Sequence, residues 1–594
     1  MIPNPTIRPM ASAALALGLF SAPAPADMTH EWITRLPVGA ALSAGIQGMV
    51  VDAAGVTYVT GNTGPSGNTD VLTAAIAPDG TLLWSRVFNG PEDWHDQARG
   101  IALGPGGVVY VAGNTPGPGL YANVLLLKYE AVSGTLLDSV QYSSGPFTSE
   151  HGQSVATDAL GGVYLAGGTV GDGADAMVLK FDASGVFEWK RVWDGPASAP
   201  YSQDHGRIVR VAPDGNPVVM IHGVMSSLHP DYVVVKYAAT DGATMWEATW
   251  GVSGEDSPTD MELDAAGDVY VTGTGIQLTN KFSTIKLRGS DGQLVWQEYD
   301  SHDFRDHARA LGLDGQGGVY ITGSVDPDGD QSNQNDNFYT VKRDAATGAQ
   351  RWTHLYGLNC IGCLDLPADV LAGPAGHVFV AGSTSSAPYS ADMITFVLDA
   401  SSGAELKRGV VSAMAPELVG ASVLRFDPAH DLLIGGQGLN ADTGAVEITV
   451  VKYGSLAYAA ASFCDTSPDS TGSGAIIGAS GSASVAANDF TLLVHGAAAS
   501  EFGLFFYGTE QVRLPFGDGL RCVGGAVFRL HPPQTTDGLG FASRRVDFTQ
   551  PPAASGPGAI AAGSLWNFQF WFRDPAAGGA GFNLSDGLAA IFLP

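Results

Sequence analysis

Carboxylates and imidazoles recur at one place in a pattern that this chain repeats. When the repeats are aligned, an acidic residue lies five positions before the first inward-facing apolar residue in six of them. These residues are Asp96, Glu150, Asp204, Asp256, Asp306 and Asp365, and histidine adjoins four of them, as His95, His151, His205 and His307. Carboxylates and imidazoles of this kind can bind a cation, hold a polar sugar or move protons.

Aromatic residues lie just upstream of these groups, at Trp94, Phe147, Tyr201 and Phe304. All of these residues fall in the loop that leads into the innermost strand of a repeat, so we expect them to ring one mouth of a central channel. The pattern favours a site for a cation or a glycan, with the aromatic rings as sugar platforms. The alternative is structural, because an acidic residue before a strand also accepts backbone N–H bonds and fixes a turn.

A second acidic segment should emerge on the same face, from Asp326 through Asp328 and Asp330 to Asp336. Alternating carboxylates suit calcium, which takes six to eight oxygen ligands. The segment is not an EF-hand, because its glycine is at the fourth position and Asn337 stands where that loop needs glutamate. We therefore expect either a calcium site or a solvated acidic loop, and no other cofactor.

The elements that position these residues are repeats with a period near 50. Each contains a glycine, a short β-branched run and a small-residue turn, as in Gly-Val-Val-Tyr-Val-Ala-Gly at 107–113. The central residues are Tyr58, Tyr110, Tyr164, Met220, Tyr270, Tyr320, Phe379 and Leu433, which lie 50 to 59 positions apart. Such a period is typical of an all-β fold, the β-propeller, in which each repeat is a four-stranded blade.

The two ends of the repeat array complement each other. The chain begins with a lone outer-type strand at 31–36, whereas the last repeat ends at Lys452 without an outer strand. The N-terminal strand can therefore complete the last blade and leave no open edge. The sequence predicts an eight-bladed propeller over 28–455, with seven blades as the alternative if the divergent last repeat is not a blade.

The repeats resemble bacterial β-propeller repeats of the SBBP type, in their Asp-x-Ala turn and their Gly-x-Val-Tyr-Val-x-Gly strand. This resemblance covers roughly 28–455 and implies a fold but no activity. Residues 344–352, Asp-Ala-Ala-Thr-Gly-Ala-Gln-Arg-Trp, also resemble the Trp-docking repeat of quinoprotein dehydrogenases. Those enzymes have a disulfide between adjacent cysteines, which this sequence lacks, so we do not expect quinone-dependent activity.

A different module follows over 456–594. Short apolar runs separated by Gly, Pro and Asp turns predict a β-sandwich. The segment resembles a C-terminal module of secreted planctomycete-type proteins, in stretches such as Phe-Cys-Asp-Thr-Ser-Pro and Trp-Asn-Phe-Gln-Phe-Trp-Phe-Arg-Asp-Pro. That module follows many unrelated domains, so the resemblance implies sorting, surface attachment or carbohydrate binding.

Residues 1–26 have the features of a secretory signal peptide. Arg8 is their only charge, an apolar run spans 11–20, and Ala24-Pro25-Ala26 precedes Asp27. No later apolar run is long enough to span a membrane. We therefore expect a bacterial protein that is secreted or lies at the cell surface or in the periplasm.

Four cysteines suit such an oxidising compartment. Cys464 and Cys522 both lie in the C-terminal module and can pair. Cys360 and Cys363 lie in one loop, where a small disulfide is expected and zinc, with help from His354 or Asp365, is the alternative.

The net charge of −30 argues against nucleic acid as a partner, because phosphates are bound through Lys and Arg. The sequence contains no nucleophile elbow, phosphate loop or His-Glu-x-x-His motif. It favours a non-enzymatic binding or scaffold protein that takes an extracellular protein or a polysaccharide on its loop face. The alternatives are a polysaccharide hydrolase or lyase that uses the histidines and carboxylates at the channel mouth, and a surface-layer or matrix component. The oligomeric state is not indicated.

Overall fold

The computed structural model shows a protein built almost entirely of β-strands. It describes residues 26–28, 30–38, 45–65, 67–119, 121–145, 148–170, 174–196, 204–226, 229–251, 256–276, 280–301, 306–326, 336–357, 365–373, 376–387, 390–411, 420–428, 431–439, 446–453, 461–464, 466–472, 474–480, 483, 485–486, 488, 490–538 and 540–592. Within these residues no helix has the length and apolar character needed to cross a lipid bilayer.

The strands of the N-terminal part lie between Ala26 and Tyr453. They are β1 Ala26–Asp27, β2 Trp32–Pro37, β3 Ile46–Val51, β4 Thr57–Thr63, β5 Asp70–Ile76, β6 Leu82–Phe88, β7 Gln97–Gly104, β8 Val108–Pro116, β9 Ala122–Glu130, β10 Leu136–Tyr142, β11 Ser149–Thr157, β12 Val163–Val170, β13 Ala174–Phe181, β14 Phe187–Trp193, β15 His205–Val211, β16 Pro217–Ser226, β17 His229–Tyr237, β18 Thr244–Trp250, β19 Ser257–Leu263, β20 Val269–Ile276, β21 Asn280–Leu287, β22 Leu294–Asp300, β23 His307–Leu313, β24 Gly318–Val325, β25 Asn337–Asp344, β26 Gln350–Tyr356, β27 Leu366–Ala372, β28 His377–Ala387, β29 Ser390–Asp399, β30 Glu405–Val411, β31 Gly420–Phe426, β32 Leu432–Leu439 and β33 Val446–Tyr453.

These strands form eight antiparallel sheets in the described part of the chain, which we number blades 1 to 8. Blades 1 to 7 are β3–β6, β7–β10, β11–β14, β15–β18, β19–β22, β23–β26 and β27–β30, and blade 8 is β31–β33 with β2. The short strand β1 is added in parallel to the outer strand of blade 7. The architecture confirms the predicted all-β propeller fold.

The aspartate of the Asp-x-Ala turn fixes the first hairpin of a blade. In blade 1, Asp52 Oδ1 accepts the backbone N–H groups of Ala54 and Val56, each at 2.9 Å. The hydroxyl of Tyr58, from the middle of the repeated phrase, donates to Asp52 Oδ2 at 3.0 Å. The same tyrosine-to-aspartate bond is made by Tyr164 and Asp158, Tyr270 and Asp264, and Tyr320 and Asp314. The repeated phrase therefore encodes both a strand and the turn that precedes it.

An apolar core fills the gap between each pair of neighbouring blades. Between blades 1 and 2, for example, Trp84 packs with Leu125 and Leu127. Between blades 8 and 1, Leu36 and Ile448 pack with residues of β3 and β4. Similar clusters occupy the other six gaps, so the described core runs around the whole ring.

Tryptophans on the outer strands also join neighbouring blades. The indole N–H of Trp84 donates to the carbonyl of Ala131 in blade 2 at 2.8 Å, and its ring lies beneath Gly134. Trp189, Trp246, Trp296 and Trp352 make the equivalent bond to the next blade at 2.9 to 3.2 Å. Trp32 of β2 does the same, donating to the carbonyl of Pro78 in blade 1 at 2.9 Å. The N-terminal strand thus carries the same connection as the outer strands of the other blades.

The strand β2 lies antiparallel to β33, with Trp32 opposite Lys452 and Pro37 opposite Glu447. Below this pair, Lys452 Nζ lies 2.9 Å from a carboxylate oxygen of Asp427 and 3.0 Å from one of Asp431. Blade 8 is therefore assembled from the two ends of the repeat array.

The C-terminal part begins at residue 461 of the described chain and forms two sheets. Its strands are β34 Ala461–Phe463, β35 Ile476–Ser480, β36 Thr491–His495, β37 Phe502–Phe516, β38 Gly519–Arg529, β39 Gln534–Thr535, β40 Ala542–Arg545, β41 Leu565–Arg573 and β42 Phe582–Ile591, with short 3₁₀ helices at Gly556–Gly558 and Pro575–Ala577. One sheet has the order β34-β42-β41-β37-β38, with β39 also on β37, and the other has the order β35-β36-β40.

One apolar core joins these two sheets: Ile477 and Leu492 of the smaller sheet pack with Phe505 and Phe568 of the larger one. The predicted disulfide between Cys464 and Cys522 is confirmed, with a Cα–Cα distance of 6.1 Å. Cys360 and Cys363 lie outside the described residues.

Candidate binding site at the channel mouth

The channel mouth is the end of the central channel at which the innermost strands begin, and it belongs to the face that we call the loop face. The six acidic residues predicted to ring this mouth are all 0 % exposed. Five of them precede an innermost strand, as expected, whereas Glu150 lies within β11. Each carboxylate is therefore held inside its blade.

Backbone N–H groups donate hydrogen bonds to several of these buried carboxylates. Asp204 accepts the N–H of Gly195, in the connection from blade 3, at 3.0 Å and the N–H of Val224, in β16, at 2.5 Å. Asp96 accepts the N–H of Gly90 at 2.5 Å, and Glu150 accepts the N–H of Ser144 at 2.8 Å. These bonds tie the ends of the loops to the innermost strand.

Two further contacts fit the same role. Thr384 Oγ1 donates to Asp365 at 2.5 Å, and the backbone N–H of Asp365 donates to the carbonyl of Asp336 at 2.9 Å. Burial raises the pKa of Asp96 and of Asp204 above the usual aspartate range. The bonds favour the structural interpretation of the acidic ring, and a ligand-binding role for it stays a prediction.

Imidazoles are brought together where blades 3 and 4 meet. The rings of His151 and His205 lie edge to face with their centroids 5.4 Å apart. A Cβ atom at position 168 would lie 2.7 Å from His151 Cε1 and 3.1 Å from His205 Nδ1, so Gly168 leaves the space that both rings fill. His222 lies directly opposite His205 in the strand pairing. The sequence reasoning missed His222 because it aligned Met220 with Tyr110. The strand pairing instead aligns Val218 with Tyr110, and His222 then takes the place of Asn114 in blade 2.

Two other predicted histidines have their own partners. His95 packs edge to face on Trp94 at 5.4 Å, and the hydroxyl of Thr69 lies 3.3 Å from His95 Nδ1. In blade 6, His307 Nδ1 lies 3.2 Å from Thr274 Oγ1. Trp94 is 46 % exposed. Of the described residues predicted for the site, Trp94 offers the largest accessible apolar surface.

The electrostatics of the paired imidazoles are set by burial and by neighbouring cations. The pKa of His151 is lowered to about 4, mainly by burial and to a smaller extent by His205, Arg99 and Arg207. Burial also lowers the pKa of His205, with a smaller effect from Arg207. Both imidazoles are therefore uncharged near neutral pH, and the positive charge here comes from arginine.

Acidic groups on the same face do not define a metal centre by themselves. Asp326 is fully buried and Asp336 half-buried, whereas Asp328 and Asp330 lie outside the described residues. Among described residues, Asp175, Asp194 and Asp204 can bring one oxygen each to within 4.8 Å of one another. Asp204 already accepts two backbone N–H bonds, and the calcium site expected at 326–336 stays a prediction.

The central channel continues below the mouth as a cavity of about 960 Å³. Asp260 and Asp369 on its wall each accept a backbone N–H of the next blade, from Leu311 at 2.9 Å and Leu424 at 2.8 Å. Burial raises the pKa of both carboxyls. These two aspartates therefore join blades across the channel wall.

Comparison with solved structures finds distant similarity to several proteins. The chain is similar to a quinohemoprotein alcohol dehydrogenase from Comamonas testosteroni, with 12% identity and a TM-score of 0.46 over 72% of this chain and 76% of that chain. The quinohemoprotein alcohol dehydrogenase ADHIIG from Pseudomonas putida HK5 is 12% identical with a TM-score of 0.44, over 72% of this chain and 78% of that chain. The β-propeller domain of the Trilobed protease from Pyrococcus furiosus is 7% identical with a TM-score of 0.34, over 60% of this chain and 98% of that chain. The sequence matches no protein-family model and no curated protein. Similarity at this level indicates no shared activity.

Proposed function

We propose that this protein is a non-enzymatic binding protein of the bacterial cell exterior, whose loop face takes a polysaccharide or a protein partner. One observation carries the proposal: the six carboxylates at the channel mouth are buried and three of them accept backbone N–H groups, while Trp94, Arg207 and Arg309 are exposed. A surface of this kind supplies contacts to a ligand, and its carboxylates are already engaged in holding the loops.

The exposed ring of Trp94 is the natural platform for a sugar. An aromatic face buries the apolar side of a pyranose while the hydroxyl groups keep polar partners. His95 stands edge-on to this ring at 5.4 Å, which limits its rotation and presents a second polar group beside it. The resemblance of the repeats to SBBP-type propellers is compatible with binding, because it implies a scaffold and no catalytic motif.

The C-terminal module is proposed to attach or target the protein. Its residues Phe463, Gln511 and Arg513 share a cavity of about 350 Å³ with Asp314 and Gln316 of blade 6. Those blade residues lie in the turn between the first two strands, at the opposite end of the blade from the loop face. A module in this position leaves the loop face clear for a ligand. The predicted signal peptide and the disulfide agree with an exported protein.

One observation favours a second candidate, a polysaccharide hydrolase or lyase. His151 has a pKa of about 4, so its imidazole is an unprotonated but weak base near neutral pH and would act most effectively in acidic conditions. Its neighbours Arg99 and Arg207 would offset negative charge on a bound substrate. Under this candidate, His151 is the residue on which turnover depends.

A glycan screen with two readouts separates these functions. The purified full chain is incubated with neutral and acidic polysaccharides, and binding is measured by affinity electrophoresis while products are sought by mass spectrometry. We expect binding without products, and loss of binding to a neutral glycan in Trp94→Ala. The control is Leu160→Ala, since Leu160 is 91 % exposed in the turn at the opposite end of blade 3. Products that disappear in His151→Gln would overturn the binding-only function.

A further inference from the structure

Every innermost strand contains a β-bulge at the same position. The pairing with the second strand of the blade shifts by one residue there, which leaves one residue unpaired in the ladder. The bulged residues, in blade order, are Gln47, Arg99, Gln153, Arg207, Thr259, Arg309, Ala368 and Ser422. A bulge bends a strand and redirects its side chain. Arginine occupies this position in blades 2, 4 and 6, so three cations recur on alternate blades around the channel mouth.

These arginines lack acidic partners in the described part of the chain. No described carboxylate oxygen lies within 4 Å of the guanidinium nitrogens of Arg99, Arg207 or Arg309, and the one described bond joins Arg99 to Gln97 Oε1 at 2.8 Å. The arginines deeper in the channel differ. Arg210 lies 3.1 Å from Glu262, and Arg425 lies 3.5 Å from Asp369. Among the described residues, the arginines of the channel wall are paired with carboxylates, whereas the three arginines at the mouth are not.

Arginines without acidic partners are unusual in a chain of this composition. The chain has 59 acidic residues against 29 Lys and Arg, so a cation has many potential partners. Arg207 and Arg309 are exposed and Arg99 is half-buried, and no described carboxylate neutralises any of the three. An anion from solvent can therefore reach these guanidinium groups and supply the missing counter-charge. The fold therefore holds positive charge in place at this mouth.

A cavity of about 530 Å³ lies at the same place and includes two of the three arginines. Arg207 and Arg309 line it, together with hydroxyl groups from three different blades. Those groups belong to Ser257, Thr259, Ser383 and Ser422. Guanidinium groups bind carboxylate and sulfate oxygens in paired hydrogen bonds, and hydroxyl groups fill the remaining positions around such an anion.

We propose that Arg99, Arg207 and Arg309 form an anion site that recognises carboxylate or sulfate groups on an acidic polysaccharide. This inference rests on the proposed glycan-binding function and names its ligand class. Uronate carboxylates and sulfate esters both present paired oxygens to a guanidinium group, so either anion fits the site. Binding to polymers that carry only one of the two groups distinguishes them. The neighbouring neutral imidazoles of His151 and His205 add hydrogen-bonding groups without charge.

The test compares three probes: polygalacturonate, dextran sulfate and uncharged dextran. Affinity is measured by isothermal titration calorimetry at low and at moderate salt, with the full chain and the double variant Arg207→Gln, Arg309→Gln. Each charged hydrogen bond that is lost should weaken binding about tenfold, so we expect a loss of roughly a hundredfold for at least one acidic polymer. The control is Arg288→Gln, since Arg288 is an exposed arginine that pairs with Asp291 in an outer turn and should leave affinity unchanged.

The outcomes separate this inference from the function on which it rests. Binding to a neutral glycan that depends on Trp94, with no affinity for either acidic polymer, overturns the anion site and leaves the proposed function standing. Equal affinity of the double variant and the wild-type protein for an acidic polymer also overturns the anion site. Binding to no glycan at all overturns both. The melting temperature of the double variant should equal or exceed that of the wild type, because the change removes unpaired positive charge, and this measurement verifies that the variant folds.

Discussion

The closure of blade 8 can be tested at a single side chain of its N-terminal strand. Leu36 is 3 % exposed and packs with Ile448 and Val450 of β33 and with Ile46 of β3, between blades 8 and 1. The preceding residue, Arg35, points to the other side of β2 and its side chain is 52% exposed. The strand therefore offers a test position and a control in adjacent residues.

The two alanine substitutions should differ strongly in cost. Leu→Ala in a packed core costs about 2–5 kcal/mol, from lost burial and the cavity that remains. Because Leu36 is enclosed by residues of two blades, we expect Leu36→Ala to cost about 3 kcal/mol. Arg35 has one described acidic partner, the buried Glu447 at 3.8 Å; because the arginine itself is half exposed and the separation is long, we expect Arg35→Ala to cost about 1 kcal/mol. The difference should therefore be about 2 kcal/mol or more.

Urea denaturation followed by tryptophan fluorescence gives the required comparison. The midpoint should fall clearly in Leu36→Ala and remain near wild type in Arg35→Ala, with similar slopes in all three proteins. Deletion of residues 31–38 should have a larger effect, because it leaves the edge of β33 open to other chains and promotes aggregation. Equal midpoints for the two alanine variants would refute the packing of β2 between blades 8 and 1.

Three further predictions concern the loop face and the blade connections. Asp204→Ala and Asp365→Ala should each cost about 1–3 kcal/mol and lower the melting temperature, because buried donors lose their acceptor; a loss of glycan binding in Asp204→Ala alone would instead assign that carboxylate to the ligand. His151 has a pKa of about 4 in the folded protein and an ordinary value of 6.5, so the unfolded chain binds the extra proton between these pH values. Stability should fall by about 3 kcal/mol as the pH decreases through this range, and the urea midpoint of His151→Gln should depend less on pH. Gly134→Ala drives a methyl group into the indole ring beneath it and should lower the melting temperature far more than Gly106→Ala, which has a similar positive φ but no atom within 4 Å of the added carbon.

The repeated phrase made the propeller predictable from the sequence. A strand with a central Tyr and a preceding Asp-x-Ala turn recurs often enough to fix both the period and the hairpin, and the structure shows the hydrogen bond between Asp52 and Tyr58 that links them. The tryptophans of the outer strands were equally visible, because Trp84 and its equivalents recur at one place in the repeat. The pairing of Cys464 with Cys522 followed from their being the two cysteines of the C-terminal module.

The site was less predictable, for physical reasons. An aspartate before a strand suits a ligand and a turn equally well, and only the backbone bonds of Asp204 show which groups it engages in this fold. Each arginine at the mouth lies three positions after an aligned aspartate, so its recurrence was visible in the sequence. The bulge at that position was not, because it is a feature of the strand pairing. The proximity of His151, His205 and His222 depends on two neighbouring blades and on the space left at Gly168.

The pairing of Ile33 with Val451 has a consequence for how this protein reaches its folded state. A chain that is synthesised from its N-terminus produces β2 first, yet the partner strand of β2 appears only after all the other propeller strands have been made. Contacts between residues so far apart in sequence form slowly, because a long loop must close before they contribute any stability. Until then the growing array has an exposed strand at each end, and each can pair with a neighbouring chain. Synthesis and assembly of the ring are thus separated in time, and a factor that shields β2 during that interval would raise the yield of folded protein without changing its final stability.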